Sequence, residues 1–135
     1  MDNQMSVLMD IYESIEELSR IGDSLTNPEE AIMLGFWEEL KLTEHEVNAL
    51  KASGLNDHII SGIEKIIKER MLLSFHQFFA VLDGVGDPKF RNEDSVWLGL
   101  KLVNKTLNDE PEDEEFLHDQ LFDAYWDWIE MKSKK

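Results

Sequence analysis

The sequence predicts an all-α fold, a single compact acidic domain of five or six helices spanning residues 1–135. Apolar residues recur at the three- and four-residue spacing of helices through most of the chain. Three segments begin with residue types that start helices, at Asn27-Pro28, Thr43 to Glu46 and Pro111-Glu112. An alternating, strand-like pattern occurs only near 96–103, with no second strong strand to pair with it.

Capping signals and apolar spacing predict the first two helices. Asp2 or Asn3 can cap a first helix, which Gly22 would weaken or end. Its apolar seam consists of Leu8, Ile11, Ile15, Leu18 and Leu25. Asn27 can cap the second helix with Pro28 at its first position, where a missing N–H costs nothing. That helix carries Ile32, Phe36, Trp37 and Leu40.

The middle of the chain predicts a short helix followed by the longest one. Thr43 and Glu46 form a capping-box pattern, and Gly54 can end the short helix that follows. Asn56 then precedes a helical pattern at about 57–83. Its apolar residues are Ile59, Ile60, Ile63, Ile66, Ile67, Leu73, Phe78, Phe79 and Leu82. Because it is so apolar and nearly neutral in charge, we expect it to be the central helix.

Two segments follow the loop that ends this helix at Asp83 to Pro88. Residues 95–107 fit a strand through Val96, Leu98, Leu100 and Leu102, and a helix through Val96, Leu100, Val103 and Leu107. We expect a helix, with a short strand near 96–103 as the alternative. Pro111 and the acidic residues after it then start a final helix that ends near three lysines.

Composition excludes several classes of protein. With 42% hydrophobic residues, 7 Phe, 4 Trp and 2 Tyr, the chain is too apolar for a disordered acidic tail. It has no cysteine, which excludes disulfides and thiolate zinc sites. Asp2 stands where a signal peptide would carry a base, and no apolar run approaches a membrane span. We expect a cytoplasmic protein.

The net charge of −16 is distributed unevenly. Residues 1–50 hold 12 acidic and 2 basic residues, residues 51–91 hold 5 and 6, and residues 92–135 hold 12 and 5. Such a field repels nucleic acid and anionic membranes, and it accelerates encounter with a basic protein. We therefore expect a basic protein partner, no membrane association and no direct nucleic-acid binding.

A stripe of carboxylates on the last helix is the candidate site. Positions 115, 119, 123 and 127 share one helical face, although like charges at this spacing each cost about 0.2 to 0.5 kcal/mol. An indole at position 126 lies among them, and tryptophan is frequent at binding hot spots. The predicted partner-binding residues are Glu115, Asp119, Asp123, Trp126, Asp127 and Glu130. The alternatives are a merely solubilising face, and a Trp126 covered by another helix.

Metal, cofactor and enzyme signals are weak. Glu115 and His118 form a Glu-x-x-His pattern that occurs once, whereas carboxylate-bridged di-metal sites need it twice. The loop at Asp83–Pro88 resembles a calcium loop only faintly, because Val85 and Lys89 stand where oxygen ligands are expected. The phosphate-loop, nucleophile-elbow and zinc-protease motifs are missing. We expect no catalytic residue, no metal site and no cofactor.

The predicted function is a non-enzymatic acidic binding protein that neutralises or regulates a basic protein, like a toxin-immunity protein or an inhibitor. Mimicry of DNA by this helix alone is disfavoured, since its charges rise about 6 Å apart against about 1.7 Å in duplex DNA. The alternative is a small-molecule or metal-binding domain, with or without catalysis, at the Asp83–Pro88 loop with Trp37, His76 and Trp97. The partner's identity and the oligomeric state stay open.

Overall fold

The computed structural model describes residues 3–32, 38–90, 94–108 and 117–134, and within them the protein is all-α. These residues form six α-helices, one short 3-10 helix and no strand. The helices are α1 (Asn3–Leu18), α2 (Gly22–Thr26), α3 (Pro28–Ile32), the 3-10 helix (Glu38–Leu40), α4 (Glu44–Ala52), α5 (Asp57–Leu82) and α6 (Leu117–Ser133). The all-α prediction is confirmed. The chain consists of two compact units, Met1–Leu102 and Val103–Lys135.

Three helix starts in the first unit agree with the capping signals, whereas α2 begins at Gly22, where the sequence predicted that a helix would weaken or end. The Thr43 hydroxyl accepts the Glu46 N–H at 3.3 Å, and the Glu46 carboxylate accepts the Thr43 N–H at 2.7 Å, which completes the predicted capping box. The Asn56 side chain accepts the Ile59 N–H at 3.0 Å and caps α5. α3 begins at Pro28, as predicted.

The first unit has a small core around α2. This helix contacts α3, α4 and α5, and α5 also contacts α1. The most deeply buried described side chains are Ile15, Ser19, Pro28 and Val47. Leu18 is 69% exposed, so the sequence was wrong to place it in the apolar seam of α1. Helical spacing alone does not indicate which residues of a seam another helix covers.

The expected helix at 95–107 is wrong, and so is the alternative strand near 96–103, since residues 95–106 adopt no regular secondary structure. The Trp97 indole N–H donates to the Val81 carbonyl at 2.7 Å, and the Leu100 N–H donates to the Leu82 carbonyl at 2.7 Å. The last carbonyls of a helix have no partner inside it. The segment supplies those donors, and in a helix of its own the Leu100 N–H would have bonded internally instead.

Two glycines allow the segment to approach the end of α5. Gly84 and Gly99 have φ values of 75° and 92°, which side-chain-bearing residues rarely adopt. A Cβ on Gly84 would lie 2.6 Å from the Leu98 carbonyl oxygen, and a Cβ on Gly99 would lie 2.5 Å from the Leu82 carbonyl oxygen. The backbone at Gly99 and Leu98 therefore packs directly against the backbone at Leu82 and Gly84.

The second unit contains α6 as its one described helix. The predicted helix start at Pro111, together with Glu115, lies outside the described residues. Across the described ranges of both units, no helix is long and apolar enough to cross a membrane.

Candidate functional site

α6 carries five of the six predicted partner-binding residues. Asp119, Asp123, Trp126, Asp127 and Glu130 fall within Leu117–Ser133, and Glu115 lies outside the described residues. Because the segment is helical, positions 119, 123 and 127 lie on one face, one turn apart. The side chains described at this site are those of Trp126, Asp127 and Glu130.

The indole of Trp126 is 52% exposed. Its neighbours Asp127 and Glu130 are also exposed. Tryptophan is highly buried on average, so a half-exposed indole beside carboxylates is an unusual surface. A partner that covered it would remove a large apolar area from water.

Lysines near the C-terminal end of α6 interact with a carboxylate and with an aromatic ring of the same helix. The Lys134 ammonium lies 2.6 Å from the Glu130 carboxylate, one turn away, and both side chains are mostly exposed. The Lys132 ammonium lies 4.5 Å from the centre of the Trp128 ring, a cation–π arrangement that also suits the helix dipole. Sequence reasoning missed the pair at Glu130, although its four-residue spacing was available as a signal.

Apolar side chains of α6 are also partly open to solvent. Trp128 is 39% exposed, Ile129 40% and Met131 46%. All three are only partly covered, so the helix presents apolar and acidic side chains to solvent together.

A polar cleft of about 370 Å³ lies between α1, α2 and α5. Its lining residues are Glu16, Ser19, Arg20, Gly22, Asp23, Ser61, Glu64, Lys65 and Lys68. Sequence reasoning missed it, because its residues come together only when α1 and α5 pack.

Contacts within the cleft join distant parts of the chain. Lys68 hydrogen-bonds Glu16, and together with Arg20 it holds the pKa of that carboxyl below its ordinary value. The Glu64 carboxylate accepts the Gly22 N–H at 3.0 Å and thereby ties the start of α2 to α5. The contact between Glu16 and Lys68 therefore joins α1 to α5, and the contact between Gly22 and Glu64 joins α2 to α5.

The structure adds little support for the alternative site at the Asp83–Pro88 loop. Trp37 lies outside the described residues, and His76 is exposed. Trp97 does reach the end of α5, where its N–H is occupied by a backbone carbonyl. Within the described ranges, no group of three His, Asp or Glu side chains is placed to hold a metal ion.

Fold and site together define a small acidic all-α protein with an open, acidic and aromatic helix. Comparison with protein-family models, curated proteins and solved structures finds no match to this chain.

Proposed function

We propose that this chain is a non-enzymatic acidic protein that binds a basic protein through α6 and neutralises or regulates it, as a toxin-immunity protein or an inhibitor does. The observation that carries the proposal is the 52% exposure of Trp126 on a helix with carboxylates on its surface. In this role Trp126 is the apolar anchor. The carboxylates that accompany it are Glu115, Asp119, Asp123, Asp127 and Glu130.

The charge supports a cationic partner. The chain carries −16, and residues 92–135 contain 12 acidic against 5 basic residues. Such a surface attracts lysine- and arginine-rich proteins and raises their association rate, and it repels phosphate backbones and anionic lipids. The proposal places the protein in the cytoplasm and gives it no cofactor, as the sequence led us to expect.

The anchor and the carboxylates contribute to different steps of binding. Exposed charges act over about 8 to 10 Å at physiological salt and mainly set the association rate. A central aromatic anchor instead sets the dissociation rate, and its truncation costs about 2 kcal/mol or more, roughly 30-fold in Kd. Binding kinetics can therefore separate the two roles.

The experiment uses the full chain to capture partners from cell lysate, and then measures each captured partner by surface plasmon resonance at several salt concentrations. One variant combines Asp119→Asn, Asp123→Asn and Asp127→Asn. Association should slow and lose much of its salt dependence, with the fold retained because repulsion along the helix is removed. Trp126→Ala should instead accelerate dissociation.

The matched control is a triple variant of α1, with Asp10→Asn, Glu13→Gln and Glu17→Gln, three exposed positions. It makes the same change in net charge at another surface. If it slows association as much as the α6 variant does, the effect belongs to overall charge and the assigned site is wrong. Unchanged binding of every captured partner by both α6 variants would refute the proposed function.

A further inference from the structure

α5 has one face that packs within the first unit and an opposite face that is open. The side chains toward the interior are Ile60, Glu64, Ile67, Met71 and Phe75, all part-buried. Among the described elements, α5 contacts α1 and α2. No residue of its 26 is fully buried, so the helix lies along the side of the unit.

Three large aliphatic side chains form a row on the open face. Ile59 is 44% exposed, Ile66 59% and Leu73 43%. They are seven residues apart, and seven residues fall about 20° short of two full turns, so the row runs almost parallel to the helix axis for roughly 21 Å. Seven residues is also the repeat of the seam by which two helices pair, and this row supplies one of the two seam positions in each repeat.

The charge of α5 indicates which molecule fits this row. The helix contains three acidic residues (Asp57, Glu64 and Glu69) and three basic ones (Lys65, Lys68 and Arg70), so its net charge is zero in a chain of −16. Two copies of the chain repel each other wherever their acidic surfaces meet. α5 is a surface on which they can touch without that repulsion, whereas a basic partner would prefer the acidic segments.

We propose that this row is a self-association surface, on which a second copy lays its own α5 antiparallel about a two-fold axis at Ile66. In that arrangement Ile66 meets its counterpart, and Ile59 meets Leu73 of the second copy. Lys65 and Glu69 are both exposed and lie on one flank of the row, on either side of Ile66 along the axis. With the axis at Ile66, Lys65 of each copy lies about 3 Å along the helix from Glu69 of the other, an offset that a lysine side chain spans, so two symmetric ion pairs form.

Sedimentation equilibrium of the full chain over a range of concentrations tests the proposal. The wild type should show a monomer–dimer equilibrium, and Ile66→Glu should be monomeric throughout. Tyr12→Glu is the matched control, since Tyr12 is 61% exposed in the middle of α1 and receives the same charge. It should dimerise as the wild type does, and circular dichroism should show the same helix content in all three.

A charge-exchange pair tests the antiparallel geometry. Lys65→Glu and Glu69→Lys, each alone, should weaken the dimer about tenfold, because both pairs become like-charged. Mixing the two variants should restore association, since each contact then joins a Glu to a Lys.

A wild type that stays monomeric at all concentrations overturns the proposal. Loss of the dimer in Tyr12→Glu as well, or dissociation by Trp126→Ala rather than by Ile66→Glu, would place the interface elsewhere. A dimer that is lost in Ile66→Glu but insensitive to the two charge reversals would refute the antiparallel pairing.

Discussion

Replacing Gly99 with alanine tests how the chain turns back onto the end of α5. The new Cβ would lie 2.5 Å from the Leu82 carbonyl oxygen and 2.8 Å from the Gly84 amide nitrogen. Both are backbone atoms that cannot rotate away as a flexible side chain can. The segment would have to move, and the hydrogen bonds made by Trp97 and Leu100 would be lost with it.

The expected cost has two parts. A side chain at φ 92° costs about 1 to 2 kcal/mol. Each lost hydrogen bond adds about 0.5 to 1.5 kcal/mol. The free energy of unfolding should therefore fall by about 3 kcal/mol, which at roughly 4 °C per kcal/mol lowers Tm by about 12 °C.

Two other glycines separate these contributions. Gly54 has φ 62° but no atom within 4 Å of its Cβ position, so Gly54→Ala should cost the backbone strain alone, about 1 to 2 kcal/mol. Gly62 lies inside α5 with open space around it, so Gly62→Ala should stabilise the protein by about 0.5 to 1 kcal/mol. Gly99→Ala should be the least stable of the three.

Urea unfolding followed by circular dichroism and by tryptophan fluorescence measures all three variants. The expected order is Gly62→Ala, wild type, Gly54→Ala, Gly99→Ala, from most to least stable. If Gly99→Ala is no less stable than Gly54→Ala, the contact with the end of α5 contributes nothing and our account of the segment is wrong.

Two further predictions concern single hydrogen bonds in the first unit. Trp97→Phe keeps a ring but removes the donor to the α5 carbonyl, so the free energy of unfolding should drop by about 1 kcal/mol; an unchanged urea midpoint would contradict this contact. The Thr43 N–H and hydroxyl lower the pKa of Glu46 below its ordinary value of 4.5, so this carboxylate stabilises the fold above pH 4.5 and loses that effect as pH falls through the lowered pKa. Glu46→Gln should therefore be less stable than the wild type at pH 7 and equally stable in acid. Thermal melts of both proteins across this pH range measure the difference. A difference in Tm that persists in acid would mean that the effect does not come from ionisation of Glu46.

Helix starts were predictable because they depend on neighbours in the chain. The capping box at Thr43 and the cap at Asn56 join groups three residues apart, so the sequence already contains both partners. The stripe on α6 is equally local, since four-residue spacing places acids on one face of any helix. The pair between Glu130 and Lys134 obeys the same rule and could have been found.

Exposure was not predictable from spacing. The pattern that correctly identified α1 assigned Leu18 to its seam, yet Leu18 is 69% exposed. Similarly, Ile66 belongs to the apolar pattern of α5 and is 59% exposed. A periodic pattern indicates that residues share a face of a helix, but another element must arrive to cover that face.

The sequence by itself determined the all-α class, the ends of several helices and the acidic character of the chain, because each depends on local geometry or on composition. The tertiary structure decided the state of residues 95–106, where Trp97 and Leu100 donate to the end of α5 and the predicted helix does not form. It also decided the pairing of Glu16 with Lys68, 52 residues away. These features depend on groups far apart in the chain, and their distances are set only when the helices pack.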